Sequence, residues 1–313
     1  MDALASLLDG PRSRGAFLLR TCMEPPWSVR FADGAPLGLI ALLHGAASLI
    51  TGDGATVHLA PGDVAVMKGT DPVTFADDPA TPGQVVIHPG PRLTTVRGED
   101  IGTAMDIGVR TWGNDPDGRD VSLVGCFQMR GEISQRLVDA LPAVFVLSND
   151  EWDTPLIALL AEEIARDEPG QEAVLDRLFD LLLIAAIRAH LARLGDDAPA
   201  WYRAHQDPVV GRAVRMLHED PARPWTVAAL AAECGTSRAR FARRFTELVG
   251  EPPMSYLMRW RLALAADLLR EPQLTVETVA TRVGYSNGFA LSSAFKRVRG
   301  VSPTTYRHHV AGV

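Results

Sequence analysis

Short apolar runs alternate with turn-forming residues over the first third of the chain. Gly52–Gly54 and Pro61–Asp63 separate successive runs, and glycine and proline at such positions supply the backbone angles of tight turns. Runs of this length predict antiparallel β-hairpins, and their regular spacing indicates a barrel or jelly roll. The segment Gly108–Asp120 is expected to be a loop-like insertion. The predicted strands are Leu37–Leu43, Ala46–Ile50, Val57–Leu59, Val64–Met67 and Val85–Ile87.

The periodicity changes to that of helices after Asp150. Apolar residues spaced three and four apart predict one helix over Pro155–Arg166 and a longer one over Gln171–Arg193. Part of the longer helix is apolar on all sides, which is more than one core-facing stripe requires. Two explanations stay open, namely a helix packed between two domains and a subunit interface. A polar linker is expected over Gly195–Pro208. The candidate interface residues are Leu178, Leu181, Leu182 and Ile184.

A helix-turn-helix pattern begins at Thr226. This threonine caps a helix that ends at the turn glycine Gly235, and Ser237 then caps a second helix, Arg238–Leu248. Two phenylalanines one turn apart in the second helix are expected to face the core. The second helix is basic, as in motifs that place a recognition helix in the DNA major groove. Its outward-facing residues are Arg238, Ala239, Ala242 and Arg243.

The same pattern recurs further along the chain. Gly235 is matched by Gly284, 49 positions later, and Phe245 is matched by Phe295, 50 positions later. Between the modules a helix is predicted over Met254–Arg270, about 25 Å long at roughly 1.5 Å per residue. A spacer of that length can hold two recognition helices near the ~34 Å separation of adjacent major grooves. The alternative is a compact helical domain that binds protein.

Charge is divided unevenly along the chain. The 313 residues carry a net charge of −7, but residues 206–313 contain 15 Lys and Arg against 9 Asp and Glu, and the other 205 contain 16 against 29. This asymmetry favours a basic nucleic-acid-binding domain attached to an acidic one. Cys22, Cys126 and Cys234 are too far apart for a disulfide framework. The start of the chain lacks the order of a secretory signal, and no apolar run approaches the ~20 residues of a membrane span. We therefore expect a cytoplasmic protein associated with the nucleoid.

The last hundred residues resemble the DNA-binding domain of the AraC/XylS family of bacterial transcription regulators. In the second module the resemblance rests on Gly284–Ser286, Phe295–Arg297, Gly300–Pro303 and Tyr306–Arg307. The first module matches the family equally well over Ser237–Pro253. The resemblance implies a sequence-specific regulator, not an enzyme, in which both recognition helices contact double-stranded DNA.

Arg243 is the best candidate for base recognition, because a guanidinium can contact guanine O6 and N7 together. A phosphate contact is its alternative. The second module departs from the family, since Phe289, Ser292 and Ser293 stand where arginine or glutamine is common. This helix is therefore expected to make mainly phosphate contacts, while Phe289 either touches a thymine methyl or packs against a helix. The candidate DNA-binding residues are Ser237, Arg238, Ala239, Arg240, Ala242, Arg243, Ser286, Asn287, Gly288, Phe289, Ser292, Ser293, Lys296 and Arg297.

The first 150 residues resemble the cupin-type sensor domains attached to some of these regulators. The resemblance covers Met1–Leu8, Pro26–Ser28, the hairpins and Pro61–Val64. Cupin enzymes hold a metal with a His-x-His pair, which is absent here, so no metal or other cofactor is expected. The predicted fold is α+β: a cupin-like antiparallel β-barrel at 1–150, a helical dimerisation region and linker at 151–205, and an all-α domain at 206–313. That last domain contains two helix-turn-helix motifs joined by a long helix.

The signal that the first domain senses stays open. One interpretation is a small apolar effector inside the barrel. The other is redox sensing by Cys22, because some related regulators respond to reactive chlorine or oxygen species through a cysteine near this position; such a thiol needs a lowered pKa and access. Besides DNA and the effector, the expected partners are RNA polymerase and a second copy of the chain. A cupin-type enzyme fused to a DNA-binding domain and an architectural DNA binder are the alternatives.

Overall fold

The structure, a computed structural model, describes residues 17–69, 72–90, 92–127 and 131–311. These residues form two compact units. We call residues 17–127 and 138–193 the sandwich unit, and residues 131–137 and 194–311 the helical unit. The predicted α+β class is confirmed: strands belong to the sandwich unit, whereas the last hundred residues are helical.

The first sheet of the sandwich unit has the strand order β10-β11-β1-β12-β3-β6-β13. Its neighbouring strands are antiparallel except for β1 and β11, which pair in parallel with Thr21 opposite Trp112. The segment expected to be a loop-like insertion therefore supplies a strand, and a further strand lies just before it. The strands are β1 (Phe17–Met23), β3 (Leu37–His44), β6 (Val64–Lys68), β10 (Asp106–Gly108), β11 (Thr111–Gly113), β12 (Asp120–Phe127) and β13 (Val144–Leu147).

The second sheet has the order β5-β4-β7-β2-β8-β9 and contains one parallel pair, β2 with β8. Apolar side chains from both sheets, including Trp27, Ile40 and Phe75, form a single core cluster. The cupin-like β-rich domain is confirmed, with two parallel pairings among its antiparallel strands. The strands are β2 (Ser28–Phe31), β4 (Ala47–Ile50), β5 (Thr56–Leu59), β7 (Val73–Ala76), β8 (Val85–His88) and β9 (Arg92–Thr95).

Two helices of the sandwich unit, α2 (Leu156–Ile164) and α3 (Gln171–Arg193), pack against each other, and α3 also contacts β6 and β13. Phe179 of α3 stacks on Phe127 with ring centroids 4.4 Å apart. Packing against both a helix and strands explains much of the apolar circumference of α3, although Val174 and Leu181 stay exposed. Leu182 is fully buried in this packing, so its predicted place in a subunit interface is wrong.

The helical unit extends further toward the N-terminus than the sequence indicates. The segment expected to be a polar linker contains a 3₁₀ turn, Gly195–Asp197, followed by helix α4. Ala204 of α4 is fully buried in the core of the unit, so α4 belongs to the fold. The helices are α4 (Ala200–Gln206), α5 (Val210–Glu219), α6 (Val227–Glu233), α7 (Arg238–Val249), α8 (Pro253–Leu268), α9 (Val276–Val283), α10 (Gly288–Arg299) and α11 (Pro303–Ala311).

Helix α1 (Glu132–Ala140) begins within the helical unit. The backbone N–H of Glu132 donates to Oδ1 of Asp267 at 2.7 Å, and that of Ile133 donates to the other carboxylate oxygen at 3.3 Å. The Glu132 carboxylate forms an ion pair with both terminal nitrogens of Arg299. The start of α1, although distant in sequence, is thereby bound to α8 and α10.

Candidate nucleic-acid interface

The first helix-turn-helix consists of α6, a turn at Gly235 and α7. The Thr226 hydroxyl accepts a hydrogen bond from the N–H of Ala229 at 3.1 Å, and Gly235 takes the positive φ of +66° that the turn requires. The Ser237 hydroxyl accepts from the N–H of Arg240 at 3.4 Å. Both predicted caps are confirmed. They are predictable from the sequence because capping depends on residues within four positions of each other.

Helix α7 has one buried face and one exposed basic face. Phe241 and Phe245 are fully buried. Among the described residues, no hydrogen bond or ion pair engages the side chains of Arg238 and Arg240. Arg243 is three-quarters exposed and lies 3.7 Å from Glu247, a pair too open to immobilise it. The predicted DNA-binding residues of this module lie on one stretch of surface, with Ser237, Arg238, Ala239, Arg240 and Arg243 exposed and Ala242 half-buried.

The second helix-turn-helix consists of α9, a turn at Gly284 with φ of +85°, and α10. The Asn287 side-chain oxygen accepts from the N–H of Ala290 at 2.8 Å and so caps α10. The N–H of Gly288 donates to Oε2 of Glu277 at 2.6 Å, and a Cβ at position 288 would lie only 2.8 Å from the same oxygen. Gly288 is thus a buried position where α9 approaches α10 closely, and its N–H is already paired.

The exposed face of α10 carries both charged and apolar groups. Phe289 is 82% exposed, so packing of its ring against a neighbouring helix of the chain, one of the two interpretations, does not occur. Lys296 and Arg297, about two turns after Phe289, are also exposed. A terminal nitrogen of Arg297 lies 3.6 Å from the sulfur of Met258. The remaining predicted residues are Ser286, Asn287 and Ser293, which are exposed, and Ser292, which is half-buried.

Helix α8 joins the two modules. Its 16 residues span about 24 Å at roughly 1.5 Å per residue, close to the predicted spacer. Tyr256 and Leu257 near its start belong to the core of the first module, whereas Leu262 and Ala266 belong to the core of the second. One continuous helix therefore fixes the spacing of α7 and α10.

Two arginines of the recognition helices serve the fold instead of the exposed face. The Arg244 side chain donates from Nε to Asp207 at 2.8 Å, and Asp207 also accepts from the N–H of Val210 at 2.8 Å. Burial opposes ionisation of Asp207, but these hydrogen bonds outweigh it and hold the pKa of the carboxyl below its usual range. Arg299 is likewise paired with Glu132.

The sandwich unit contains a cavity of about 410 Å³ between its two sheets. None of its lining residues is predicted from the sequence to contact an effector. Trp112 lies in the segment that the sequence predicts to be a loop. A lone tryptophan among glycine, asparagine and proline is the one sequence feature that could have marked it as a buried residue. The lining includes Leu19, Met23, Trp27, Phe31, Phe75 and Trp112.

Cys22 lies on β1 with 1% of its surface exposed. Burial raises the pKa of its thiol, with Arg20 opposing the rise. A sensor thiol needs the opposite conditions, a lowered pKa and access. This position therefore argues against the predicted oxidant-sensing role of Cys22.

Two histidines of the sandwich unit are engaged in hydrogen bonds: His58 pairs with Ser48, and His88 pairs with Thr94, each at 2.9 Å. Within the residues that the structure describes, no group of three or more His, Cys, Asp or Glu side chains is arranged to hold a metal ion. None of the helices in these residues has the length and apolar character of a membrane span.

Two capped helix-turn-helix modules with exposed basic recognition helices, accompanied by a β-sandwich with an internal cavity, define a DNA-binding regulator with a separate ligand-sized site. Residues 2–192 match the family model described as cupin, and residues 230–309 match that of a helix-turn-helix domain. The chain belongs to the AraC-like transcription regulators with an N-terminal cupin domain.

Individual relatives cover the whole chain. An AraC-like transcription regulator of Streptomyces lividans is 33% identical over 99% of both chains. The HTH-type transcriptional regulator AlkR of Acinetobacter baylyi is 29% identical over 98% of this chain and 99% of its own. Among solved structures, the DNA-binding domain of AdpA in complex with a target DNA is 34% identical over 34% of this chain and 96% of its own, with a TM-score of 0.33.

Proposed function

We propose that this regulator recognises a specific duplex sequence with α7 and α10 and that occupancy of the sandwich cavity controls its action. The observation that carries the DNA part is the repeat: two capped recognition helices, each with a buried phenylalanine beneath it and an exposed face, held by one spacer helix. Arg243 is the proposed base reader of the first module. Lys296 and Arg297 are the proposed phosphate contacts of the second, with Phe289 beside them.

The cavity is the proposed effector site. Its volume of about 410 Å³ falls within the range of small-molecule pockets, and its walls are mainly apolar. Because relatives that cover the whole chain are transcription regulators, we infer that this cavity binds its ligand without converting it. A regulator of this kind would act on promoters, at the nucleoid, together with RNA polymerase.

A homodimer is proposed through α3, with a corrected set of residues. Val174 and Leu181 are 44% and 49% exposed, and Leu178 lies between them on the same face of the helix. Leu159 of α2, in the same unit, is 47% exposed. Large apolar side chains exposed in one stripe are typical of an interface. Ile184 is half-buried and lies at the margin of the stripe.

Selection of bound sequences from random duplex DNA by the full-length protein tests the DNA part. A defined motif is expected for the wild type. Arg243→Ala should change that motif, whereas Arg92→Ala, which removes the same charge from an exposed position of β9, should not. Enrichment of no sequence, together with binding that salt abolishes equally for all duplexes, would support an architectural binder instead.

A further inference from the structure

We propose that the effector is a neutral, largely apolar molecule that carries one hydrogen-bond acceptor, and that the indole N–H of Trp112 binds this acceptor. The inference rests on the proposed role of the cavity as the effector site. Trp112 lies on β11 opposite Thr21 of β1, and its side chain lines the cavity. It is 94% buried, since its exposure is 6%, and its Nε1 has no hydrogen-bond partner among the described residues.

Other polar side chains of the lining are already paired. The Thr21 hydroxyl lies 2.5 Å from the hydroxyl of Ser122. The second indole, that of Trp27, donates to Oδ2 of Asp120 at 2.8 Å. Two tryptophans thus line one cavity, and of these two only Trp112 has an Nε1 that lacks an acceptor among the described residues.

The charged side chains of the lining do not favour a charged effector. Lys68 donates to the carbonyl oxygen of Leu141 at 3.4 Å, and an oxygen of Asp33 accepts from the N–H of Ala35 at 3.4 Å. Among the described residues, the lining contains one positive and one negative side chain and so carries no net charge. A charged molecule would lose its hydration on entering and would meet no net opposite charge among these described residues, so a neutral molecule is favoured.

A buried N–H without a partner is costly, because the group has lost water and gained nothing in return. A carbonyl or ether oxygen on a bound molecule would restore the lost hydrogen bond at Trp112. The surrounding side chains, such as Leu19, Phe31 and Phe75, would enclose its apolar part. A hydrocarbon would fill the same space and leave the Trp112 N–H unpaired.

Two probes with the same carbon skeleton test this assignment by equilibrium dialysis against the full chain: butylbenzene, and butyrophenone, which adds a ketone oxygen. Trp112→Phe removes the N–H and keeps an aromatic ring. We expect this variant to bind butyrophenone about five- to tenfold more weakly relative to butylbenzene than the wild type does, the effect of one neutral hydrogen bond. Phe31→Leu is the control, because it alters an apolar wall and should weaken both probes by the same factor.

The outcomes separate the two levels of the proposal. An equal loss for both probes in Trp112→Phe, with an unchanged melting temperature, would overturn the acceptor role and leave the effector cavity standing. Tighter binding of 4-phenylbutanoate than of butyrophenone, abolished by Lys68→Met, would overturn the neutral class. Failure of the wild type to bind either neutral probe up to its solubility limit would count against the cavity as an effector site.

Discussion

The rings of Phe245 and Tyr256 meet edge to face with centroids 5.7 Å apart and an interplanar angle of 72°. The same contact recurs 50 residues later between Phe295 and Tyr306, at 5.4 Å and 71°. In each module this pair joins the recognition helix to the helix that follows it. The repeat therefore extends past the helix-turn-helix itself and includes the helices that begin at Pro253 and Pro303.

The two phenylalanines of α10 should respond very differently to truncation. Phe295→Ala removes a fully buried ring and should lower the free energy of unfolding of the helical unit by about 3–5 kcal/mol. Phe289→Ala, on the same helix but 82% exposed, should leave stability within about 0.5 kcal/mol of the wild type. Urea unfolding of the full chain measures both; equal losses would show that the exposed position of Phe289 is wrong.

Phe289 should nevertheless matter for DNA binding. An apolar ring on a recognition helix can contact the methyl group of thymine in the major groove. Replacing thymine by deoxyuridine, one position at a time in a selected site, should weaken wild-type binding at one position and leave Phe289→Ala unaffected there. Uniform affinity across all replaced sites would rule out this contact.

Arg243 and Arg297 should differ in what their loss changes. Arg243→Ala should cost about 1–3 kcal/mol and relax base preference at one position, because a bidentate contact to guanine is lost. Arg297→Ala should weaken binding to all sequences alike and lower the salt slope by about one. Titrations at several salt concentrations, on the selected site and its single-base variants, distinguish the two. A selected motif unchanged by Arg243→Ala would remove its role as a base reader.

Neighbouring leucines of α3 give a matched test of the dimer. Leu181→Glu places a charge on the exposed stripe and should convert a dimer to a monomer without loss of folding. Leu182→Glu places the same charge in a fully buried site and should unfold the sandwich unit, because a buried unpaired charge is very costly. Sedimentation and circular dichroism together separate the effects. A wild-type monomer at micromolar concentration would refute the interface.

His218 should make the helical unit sensitive to acid. Its ring stacks on Trp260 at 3.8 Å and pairs with the hydroxyl of Tyr256 at 2.7 Å. Burial lowers the pKa of His218 from 6.5 to about 3, and the positive charges of Arg136 and His205 add to this. In the unfolded chain His218 thus binds a proton below about pH 6.5, whereas in the folded chain it binds one only near pH 3. With respect to this group, the folded state therefore has its full stability above pH 6.5. It loses that stability as the pH falls from 6.5 toward 3.

The expected slope from this group is at most about 1.4 kcal/mol per pH unit. The double variant His218→Phe, Tyr256→Phe removes the titrating ring and its partner together, so neither is left unpaired. Urea unfolding at pH 7 and pH 5 should show a smaller acid loss for this variant than for the wild type. Identical losses would mean that His218 is protonated in the folded protein.

The elements predicted correctly from the sequence are those whose causes are local. Thr226 and Ser237 cap helices within four residues, and Gly235 and Gly284 set turns by their own backbone angles. The errors arose where packing between distant residues decides. An all-round apolar pattern could not distinguish Leu181 from Leu182, because the difference depends on which neighbours cover α3.

The segment containing Trp112 illustrates the same limit. Its strand β11 is three residues long and pairs in parallel with β1, about ninety positions earlier in the chain, so no local periodicity indicates it. The polar segment after Arg193 likewise becomes helical because Ala204 is buried in a core where its helix packs against α5 and α7. Both features could be recognised only after the tertiary contacts were known.

The attachment of Glu132 and Ile133 to Asp267 has a consequence for dissecting this protein. Burial raises the pKa of the Asp267 carboxyl, against the two N–H groups that favour its ionised form. A fragment that starts at residue 194 would retain both helix-turn-helix modules but deprive this acid, and Arg299, of their partners. The contiguous C-terminal fragment should consequently be less stable than the same residues in the full chain, and joining residues 131–137 to its N-terminus should restore these contacts.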